Sequence, residues 1–295
     1  MPIKYQSREE LDDVKYNNCI AESTQSNVYA FSWYLDIVSD QWSALILNDY
    51  EAVMPLTWNS KFKFLNYAIQ PFFCQQLGLY SDKSLSKETI TQFLNKIPLH
   101  FLWVDLDLNF QLDKGNFTTR KNYVLDLNKD YSLLYKGYRK DRRKSLRKAE
   151  EANIEYKDFN NKKVLIKLYK QEFSHLNISE KYFQVVDKII DYALENKIGF
   201  VRNIFYSEDL ICSGFFLSYN KKIYYFFGAS NKKGKQLGAT TFLIDSVIKE
   251  FSDTITTFDF EGSSVSNVAS FYKSFGSSQI DYYRFSANAI KRAFF

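Results

Sequence analysis

The order of secondary-structure elements repeats between the two halves of this sequence, and that repetition limits the folds open to the chain. In each half, a helical opening precedes a pair of apolar strands, a third strand, a helix and a closing strand. The two strand pairs are 44–56 (ALILNDYEAVMPL) and 201–217 (VRNIFYSEDLICSGFFL). Helices and strands mixed in this order are typical of domains in which helices flank one sheet. The pattern predicts a duplicated domain of the α+β or α/β class.

Chain length agrees with a duplication. The chain has 295 residues, which suits two domains of roughly 150 residues each. Apolar residues make up 45% of it, enough for two buried cores, and its 10 Gly and 4 Pro leave little room for flexible linkers. We expect an N-terminal domain over 1–125 and a C-terminal domain over 126–295.

Hydrophobic periodicity assigns the elements in more detail. In the first half we expect a helix within 27–40, a strand hairpin over 41–58 that bends at Asn48-Asp49, and a strand from 61 that ends near Pro71. In the second half the expected elements are a helix over 131–151, two helices within 163–197 broken near Asn177, three strands within 199–230, a Lys/Gly loop, a helix over 238–251, a strand over 256–262, a short helix over 268–276 and a final strand over 279–286.

Cysteine and histidine content argues against several kinds of site. The three cysteines are odd in number and far apart, so they fit neither a disulfide framework nor zinc spacing. With only two histidines we expect no metal site, and neither histidine lies in a recognisable nucleophile motif. The first residues lack the apolar run of a signal peptide, and no run of 18 apolar residues occurs. We therefore expect a cytoplasmic protein without a transmembrane segment.

Positive charge is concentrated between Lys136 and Lys148. Eight of these thirteen residues are Lys or Arg and one is acidic, a local charge of +7 in a chain whose net charge is +5. On one continuous helix, Arg139, Arg143 and Arg147 would form a row with Lys140 beside it. A guanidinium group binds two phosphate oxygens at once, so the row predicts a phosphate-bearing substrate. The alternative is a solvated charged face that pairs with nearby glutamates.

The second half also resembles a known family. A strand ending in YYFFGAS leads into QLGATTFLIDSVI, and DFEGS and FYKSFG follow before a last strand. This order resembles the GNAT acyltransferase superfamily. Together with the basic segment, it resembles the Fem-type branch, whose members have two tandem GNAT-like domains and transfer amino acids from aminoacyl-tRNA onto peptidoglycan precursors. The helical-hairpin arm of some Fem proteins has no counterpart in this sequence.

The resemblance implies catalytic roles for residues near the end of the chain. Fem proteins carry a Phe-Lys pair at the helix that matches FYKSFG, which implies that Lys273 stabilises charge at the reaction centre, although Tyr272 stands where the Phe is expected. GNAT enzymes use a Tyr four residues before a Gly to protonate the leaving group, and Tyr272 and Gly276 have that spacing. The alternative is a short helix with Lys273 in water. Separately from the resemblance, strand alternation places Asp259 and Glu261 in DFEGS on one face, and Glu261 is the candidate base for the attacking amine. The alternative for both carboxylates is a polar strand end followed by a Gly turn.

For acyl-CoA, the resemblance implies a pyrophosphate site at a helix N-terminus, with the pattern Gln/Arg-x-x-Gly-x-Gly/Ala. The corresponding stretch is KKGKQLGAT, in which Gln236 stands where Gly is expected, followed by Gly238 and Ala239. These three residues are the candidate cofactor-binding residues. We expect no tightly bound cofactor, and either acyl-CoA or aminoacyl-tRNA as co-substrate.

Three functions therefore remain open from the sequence. The first is an N-acyltransferase that moves an acyl or aminoacyl group from a phosphate-containing donor to an amine, such as one on a cell-wall or polysaccharide precursor. A non-catalytic module of the same fold that binds RNA or phosphate is the second. The third is a CoA-dependent N-acetyltransferase, which differs from the first in its donor alone.

Overall fold

Two compact units make up the chain in the computed structural model, which describes residues 2–62, 64–113, 115–262 and 265–293. Unit 1 comprises Met1–Arg120 and Asp281–Phe295, and unit 2 comprises Lys121–Ile280. The strands are β1 (Ile3–Ser7), β2 (Gln41–Leu47), β3 (Ala52–Lys61), β4 (Leu65–Ile69), β5 (Phe101–Leu108), β6 (Phe117–Asp126), β7 (Glu155–Asp158), β8 (Gly199–Tyr206), β9 (Asp209–Tyr219), β10 (Lys222–Ser230), β11 (Thr257–Asp259) and β12 (Ser278–Asn288).

Helices connect these strands in both units. They are α1 (Asp13–Glu22), α2 (Ser32–Val38), α3 (Lys87–Lys96), α4 (Tyr131–Gly137), α5 (Lys140–Glu151), α6 (Lys162–Glu172), α7 (Glu180–Glu195), α8 (Lys232–Leu237), α9 (Ala239–Phe251), α10 (Ser266–Lys273) and α11 (Ala289–Ala293), with short 3-10 helices at Arg8–Glu10, Val28–Ala30 and Ser174–Leu176.

The two units share one pattern of strand pairing. In unit 1 the order is β1-β2-β3-β4-β5-β12, and in unit 2 it is β7-β8-β9-β10-β11-β6. Along either order the pairs are antiparallel, antiparallel, antiparallel, parallel and antiparallel. The parallel pair in each unit joins the third strand of the repeat to the closing strand. The repetition of elements seen in the sequence is thus confirmed as a repetition of sheet topology.

Each unit has its own apolar core. In unit 1, buried side chains of β2, β3, β5 and α3 pack together, Leu45, Met54, Phe93 and Leu106 among them. In unit 2, one face of α9 packs on β8, β9 and β10, and Leu243, Ile244 and Val247 are fully buried. Apolar residues of α9 recur three and four positions apart, which is why one face of this helix is buried.

Some expected elements differ in extent. The strand expected to run from 61 is split, because Phe62 has a left-handed backbone (φ 55°) that ends β3 after Lys61. The helix expected within 27–40 is a 3-10 turn followed by α2. The break expected near Asn177 is confirmed, since Asn177 is also left-handed (φ 48°) and separates the end of one helical stretch from α7.

The domain boundary expected at residue 125 remains a prediction. The two compact units divide the chain in another way, because the segment from Asp281 onward belongs to unit 1. The physical cause is the pairing of β12 with β5, which runs from Tyr283 opposite Leu108 to Asn288 opposite Trp103.

The described ranges contain neither a membrane-spanning helix nor a metal-binding cluster. None of their helices combines the length and the apolar character needed to cross a membrane. The same residues contain no group of three His, Cys, Asp or Glu side chains arranged to hold a metal ion.

The packing of α9 predicts a large difference between two leucines of unit 2. Leu243→Ala removes a fully buried side chain and should lower the free energy of unfolding by about 3 kcal/mol. Leu133→Ala, in α4, removes a side chain that is 53% exposed and should change it by less than about 0.5 kcal/mol. Urea unfolding followed by circular dichroism measures both. Equal losses would contradict this assignment of the core.

Candidate active site

The candidate residues of unit 2 lie on segments that follow its parallel strand pair. The strands β10 and β11 pair through three residues only, Lys222 to Tyr224, after which β10 continues along β9. A β-bulge interrupts β10 between Tyr225 and Phe227. The chain leaves β10 into α8 and α9, and leaves β11 through Glu261 and Gly262 toward α10. Ligand sites in sheets of this kind commonly lie at the carboxyl ends of parallel strands.

The basic segment is two helices instead of one. The predicted helix over 131–151 is interrupted at Tyr138 and Arg139, both of which have extended backbone, so Arg139 caps α5 and is not part of a continuous row. Tertiary contacts stabilise the break. The Arg139 N–H donates to the Ser274 carbonyl oxygen at 2.8 Å, and the Tyr138 ring packs edge-on against Phe275 at 5.2 Å between centroids. The break therefore attaches the start of α5 to the end of the FYKSFG segment.

The predicted phosphate-binding residues have different surroundings. The Arg139 guanidinium binds Asp141 through two hydrogen bonds of 2.6 Å, and also donates to Ser270 Oγ at 3.3 Å. Arg143 donates to the Lys136 carbonyl oxygen at 3.0 Å, while Arg147 and Lys140 are exposed. In the described part of the chain, no ion pair involves Arg143, Arg147 or Lys140. These three cations keep their charge available to a ligand.

Arg142 is the residue of α5 that the predicted row omits. Its side chain is only 17% exposed, and its Nη1 donates to Thr241 Oγ1 at 2.6 Å. The guanidinium lies 4.8 Å from the centroid of the Phe271 ring on α10. Its Nε is buried and has no hydrogen-bond partner among the described residues. Arg142 precedes the buried Leu146 by four residues, and that spacing could have identified it from the sequence.

Lys273 and Tyr272 lie side by side on α10 in different environments. Lys273 is exposed, and its Nζ lies 5.4 Å from the centroid of the Tyr123 ring. It forms no ion pair within the described ranges. Tyr272 is half-buried, with its ring 5.0 Å from Phe260. Burial and the nearby Glu261 carboxylate raise the pKa of Tyr272 well above its ordinary value. Its phenol is therefore protonated at neutral pH and able to donate a proton.

Glu261 is held in a strained turn. The strand ends at Asp259, and Glu261 has a left-handed backbone (φ 60°), so strand alternation does not extend to this residue as the sequence implied. The Asp259 carboxylate accepts the Glu261 N–H at 2.8 Å. At Gly262 (φ 64°), a Cβ would lie 2.2 Å from the Lys121 carbonyl oxygen. This turn therefore requires glycine, and it fixes the backbone from which Glu261 projects near Tyr272.

Asp259 has a structural environment. It is 3% exposed, and the Asn122 Nδ2 donates to its two oxygens at 3.0 and 3.2 Å. The Lys222 Nζ lies 3.9 Å from Oδ2. Burial raises the pKa of Asp259. Because its oxygens are already bonded within the protein, Asp259 has a structural role at the strand end.

The predicted cofactor-binding residues flank the start of α9. The Lys/Gly loop expected there is the helix α8, and Gly238 (φ 78°) separates α8 from α9. Gln236 is exposed and Ala239 is buried. A Cβ on Gly238 would lie 2.5 Å from Ser145 Oγ, which also donates to Thr241 Oγ1 at 3.3 Å. Side chains of α5 therefore face the N-terminus of α9, where the family resemblance implies a pyrophosphate site for CoA.

The structure therefore brings most of the predicted residues into one region of unit 2. Contacts from Arg139 and Arg142 join α5 to α10, while Ser145 joins it to α9. Tyr272, Lys273 and Glu261 belong to the same region. Arg143, Arg147 and Lys140 lie on α5 without a direct contact to α10 or Glu261 among the described hydrogen bonds.

Comparison with known proteins bears on the fold. No protein-family model matches the chain, and no curated protein matches it. Among solved structures, FemX is similar at 11% identity and a TM-score of 0.68, over 99% of this chain and 98% of FemX. The C-terminal domain of a putative lysylphosphatidylglycerol synthetase from Agrobacterium fabrum is similar at 12% identity and a TM-score of 0.62, over 98% and 95%. A tandem GNAT protein from the clavulanic acid biosynthesis pathway is similar at 9% and 0.54, over 98% and 99%.

The contact between α5 and α9 predicts opposite effects for two glycines. Gly238→Ala should lower the free energy of unfolding by about 1–3 kcal/mol, because the backbone is left-handed and the new methyl group meets Ser145. Gly137→Ala, at the end of α4, meets nothing within 4 Å and should be neutral or stabilising by up to about 1 kcal/mol. Thermal and urea unfolding of both variants measure the difference. A neutral Gly238→Ala would contradict the contact.

At such low sequence identities, these similarities concern the fold. FemX and the tandem GNAT protein match almost the whole of this chain, and the repeated strand pairing agrees with a tandem arrangement. The chain has the Fem-like, tandem GNAT fold that its sequence resembles.

Proposed function

We propose that this protein is an N-acyltransferase that moves an aminoacyl group from the ester of a charged tRNA to an amine. One observation carries the proposal, namely the direct attachment of the basic helix α5 to α10, which bears Tyr272 and Lys273. A cationic helix suited to phosphates is thereby joined to the helix that carries groups acyl transfer requires. The tandem GNAT fold supports the same reaction class.

The reaction assigns one step to each candidate residue. The amine nitrogen attacks the carbonyl carbon of the ester, which forms the C–N bond, and its proton passes to the Glu261 carboxylate. The exposed Lys273 ammonium stabilises the negative charge that develops on the carbonyl oxygen. As the C–O bond to the ribose breaks, the Tyr272 phenol gives its proton to the departing oxygen. Return of the proton from Glu261 to Tyr272 restores both groups.

The environment of α9 favours charged tRNA over acyl-CoA as the donor. Ser145 lies against Gly238, and Arg142 bonds to Thr241, so part of the helix N-terminus is covered by α5. Lys140 and Arg147, which are exposed, and the half-buried Arg143 suit a ligand with many phosphates spread over a surface. The similarity to Fem-type proteins supports a cell-wall precursor amine as the acceptor.

Removal of the Lys273 charge should reduce catalysis strongly. Lys273→Ala should lower kcat/KM for transfer from charged tRNA by about 100- to 1,000-fold, since one oxyanion donor is typically worth about 3–4 kcal/mol. Lys273→Arg keeps the charge and should retain more activity. Lys188→Ala, at an exposed site on α7, is the matched control and should leave activity unchanged. The measurement is transfer of labelled amino acid from charged tRNA to a panel of amines.

Several outcomes of that experiment would contradict the proposal. Unchanged transfer by both Lys273→Ala and Tyr272→Phe would remove the assigned site. Transfer from acyl-CoA but not from charged tRNA would establish the CoA-dependent alternative. Thermal-shift titration with CoA tests the same point, because a ligand that binds only the folded state raises its stability.

Binding of tRNA should depend on the cations of α5 that form no ion pair. Replacement of Lys140, Arg143 and Arg147 by Ala should weaken binding and reduce the slope of log K against log salt by about 2, given roughly 0.7–0.9 per phosphate contact. Lys163 and Lys167 on α6 provide a control pair whose replacement should leave the slope unchanged. Filter binding between 50 and 200 mM salt measures both. Equal effects of the two sets would contradict a specific role for α5.

A non-catalytic module is the second candidate, supported by the partly covered start of α9. It would show salt-dependent RNA binding that survives Lys273→Ala, and no transfer from either donor. The transfer assay and the filter-binding assay together distinguish the enzyme from this module.

A further inference from the structure

Six large apolar side chains are exposed at one end of unit 1. The turn after β3 lies at this end. Because β5 runs parallel to β4, its first residues lie beside the same turn. The end of β12 lies opposite Trp103 and leads into α11. We refer to these six residues as the apolar end: Phe62 (69% exposed), Phe64 (71%), Leu99 (56%), Leu102 (48%), Trp103 (46%) and Ile290 (74%).

These six side chains come from segments that lie at one end of the sheet, so they differ from single apolar residues scattered over a surface. Single exposed apolar residues are common on soluble proteins, whereas a contiguous group marks an interaction surface. Three separate chain segments contribute to the apolar end, and the rings of Phe62 and Phe64 stack with centroids 6.5 Å apart. The Arg292 guanidinium donates to the Ile97 and Pro98 carbonyl oxygens, which fastens α11 to the segment before β5. Contacts within the protein therefore hold together the segments that carry the apolar end.

The turn after β3 exposes the ring of Phe62 on a strained backbone. The last pair of the β3–β4 hairpin is Lys61 opposite Leu65, so only three residues form the turn. Phe62 has φ 55°, a region that favours Gly or Asn and is unfavourable for a bulky side chain. Gly or Asn would form the turn with less strain. An exposed ring at a strained backbone position points to a function for that ring.

Charge around the apolar end is positive. The sequence has no Asp or Glu in 52–81, in 89–104 or in 282–295, the stretches that supply this end. Lys61 and Lys96 are exposed and form no ion pair in the described ranges, and the Lys61 Nζ lies 5.3 Å from the Phe62 ring centroid. Aromatic rings flanked by lysines suit the boundary between acyl chains and anionic headgroups.

The charge also decides between possible occupants. A second copy docked through the same end would place Lys61 and Lys96 of both copies close together, where like charges repel. A surface of anionic headgroups would neutralise them while the rings enter the acyl boundary. We propose that the apolar end of unit 1 docks the protein reversibly on an anionic lipid surface. This inference is independent of the proposed acyl transfer, which is assigned to unit 2.

Flotation of the full-length protein with lipid vesicles tests the proposal. Wild type should bind vesicles of phosphatidylcholine and phosphatidylglycerol (3:1) at low salt, and bind pure phosphatidylcholine at least about tenfold more weakly. Phe62→Ser/Phe64→Ser should reduce binding to the anionic vesicles by about tenfold or more. Phe72→Ser is the matched control, because Phe72 is 82% exposed but lies beyond the opposite end of β4. It should bind as wild type does.

Fluorescence quenching measures how deeply Trp103 enters the membrane, and it leaves the turn after β3 unchanged. Brominated acyl chains in the anionic vesicles should quench the emission of Trp103. Quenching should therefore be stronger in wild type than in Trp103→Phe. Failure of wild type to bind anionic vesicles, or equal binding by Phe62→Ser/Phe64→Ser, would overturn the proposal. So would a wild-type dimer that Phe62→Ser/Phe64→Ser converts to a monomer in sedimentation, because that result would assign the apolar end to self-association.

Discussion

The arrangement of unit 2 depends on one backbone hydrogen bond and the ring contact beside it. The Arg139 N–H donates to the Ser274 carbonyl oxygen, and Tyr138 packs on Phe275. Gly276 (φ 77°) completes the join, since a Cβ there would lie 3.0 Å from the Gly137 carbonyl oxygen. These contacts connect segments more than 130 residues apart in the chain. Together with the contacts of Arg139 with Ser270 and of Arg142 with Phe271, they hold the basic segment against the helix that bears Tyr272 and Lys273.

Arg142 has a different role from the cations around it. Burial disfavours its charged form and lowers the pKa of its guanidinium, yet an arginine remains protonated at any physiological pH. The side chain lies between Phe271 and Thr241, close to the start of α9, where the helix dipole is also positive. Positive potential therefore accumulates where α5, α9 and α10 meet. Lys140, Arg143 and Arg147 extend it along α5.

Local patterns in the sequence predict most of the fold. Alternation and helical spacing identify the repeated elements, because burial of one face controls both periods. What they do not predict is set by contacts between distant residues. The interruption at Tyr138 contains no proline and follows from the hydrogen bond to Ser274, while α8 forms where Lys and Gly suggested a loop because Asn231 caps it by accepting the Gly234 N–H. At the site, residue type indicates Lys273, Tyr272 and Glu261. Arg142 is not among the predicted residues, although its spacing to the apolar Leu146 four positions later indicates it from the sequence.

Strand β12 has a consequence for how the protein is made. Its residues 283–288 pair with β5 in unit 1, although all of unit 2 is translated before them. Unit 2 can complete its sheet from a continuous stretch of chain, whereas β5 waits for its last neighbour until that stretch has been synthesised. An unpaired strand edge during this interval is prone to aggregation. Unit 1 therefore pairs the full edge of β5 only after a segment that follows all of unit 2 in the chain has been translated.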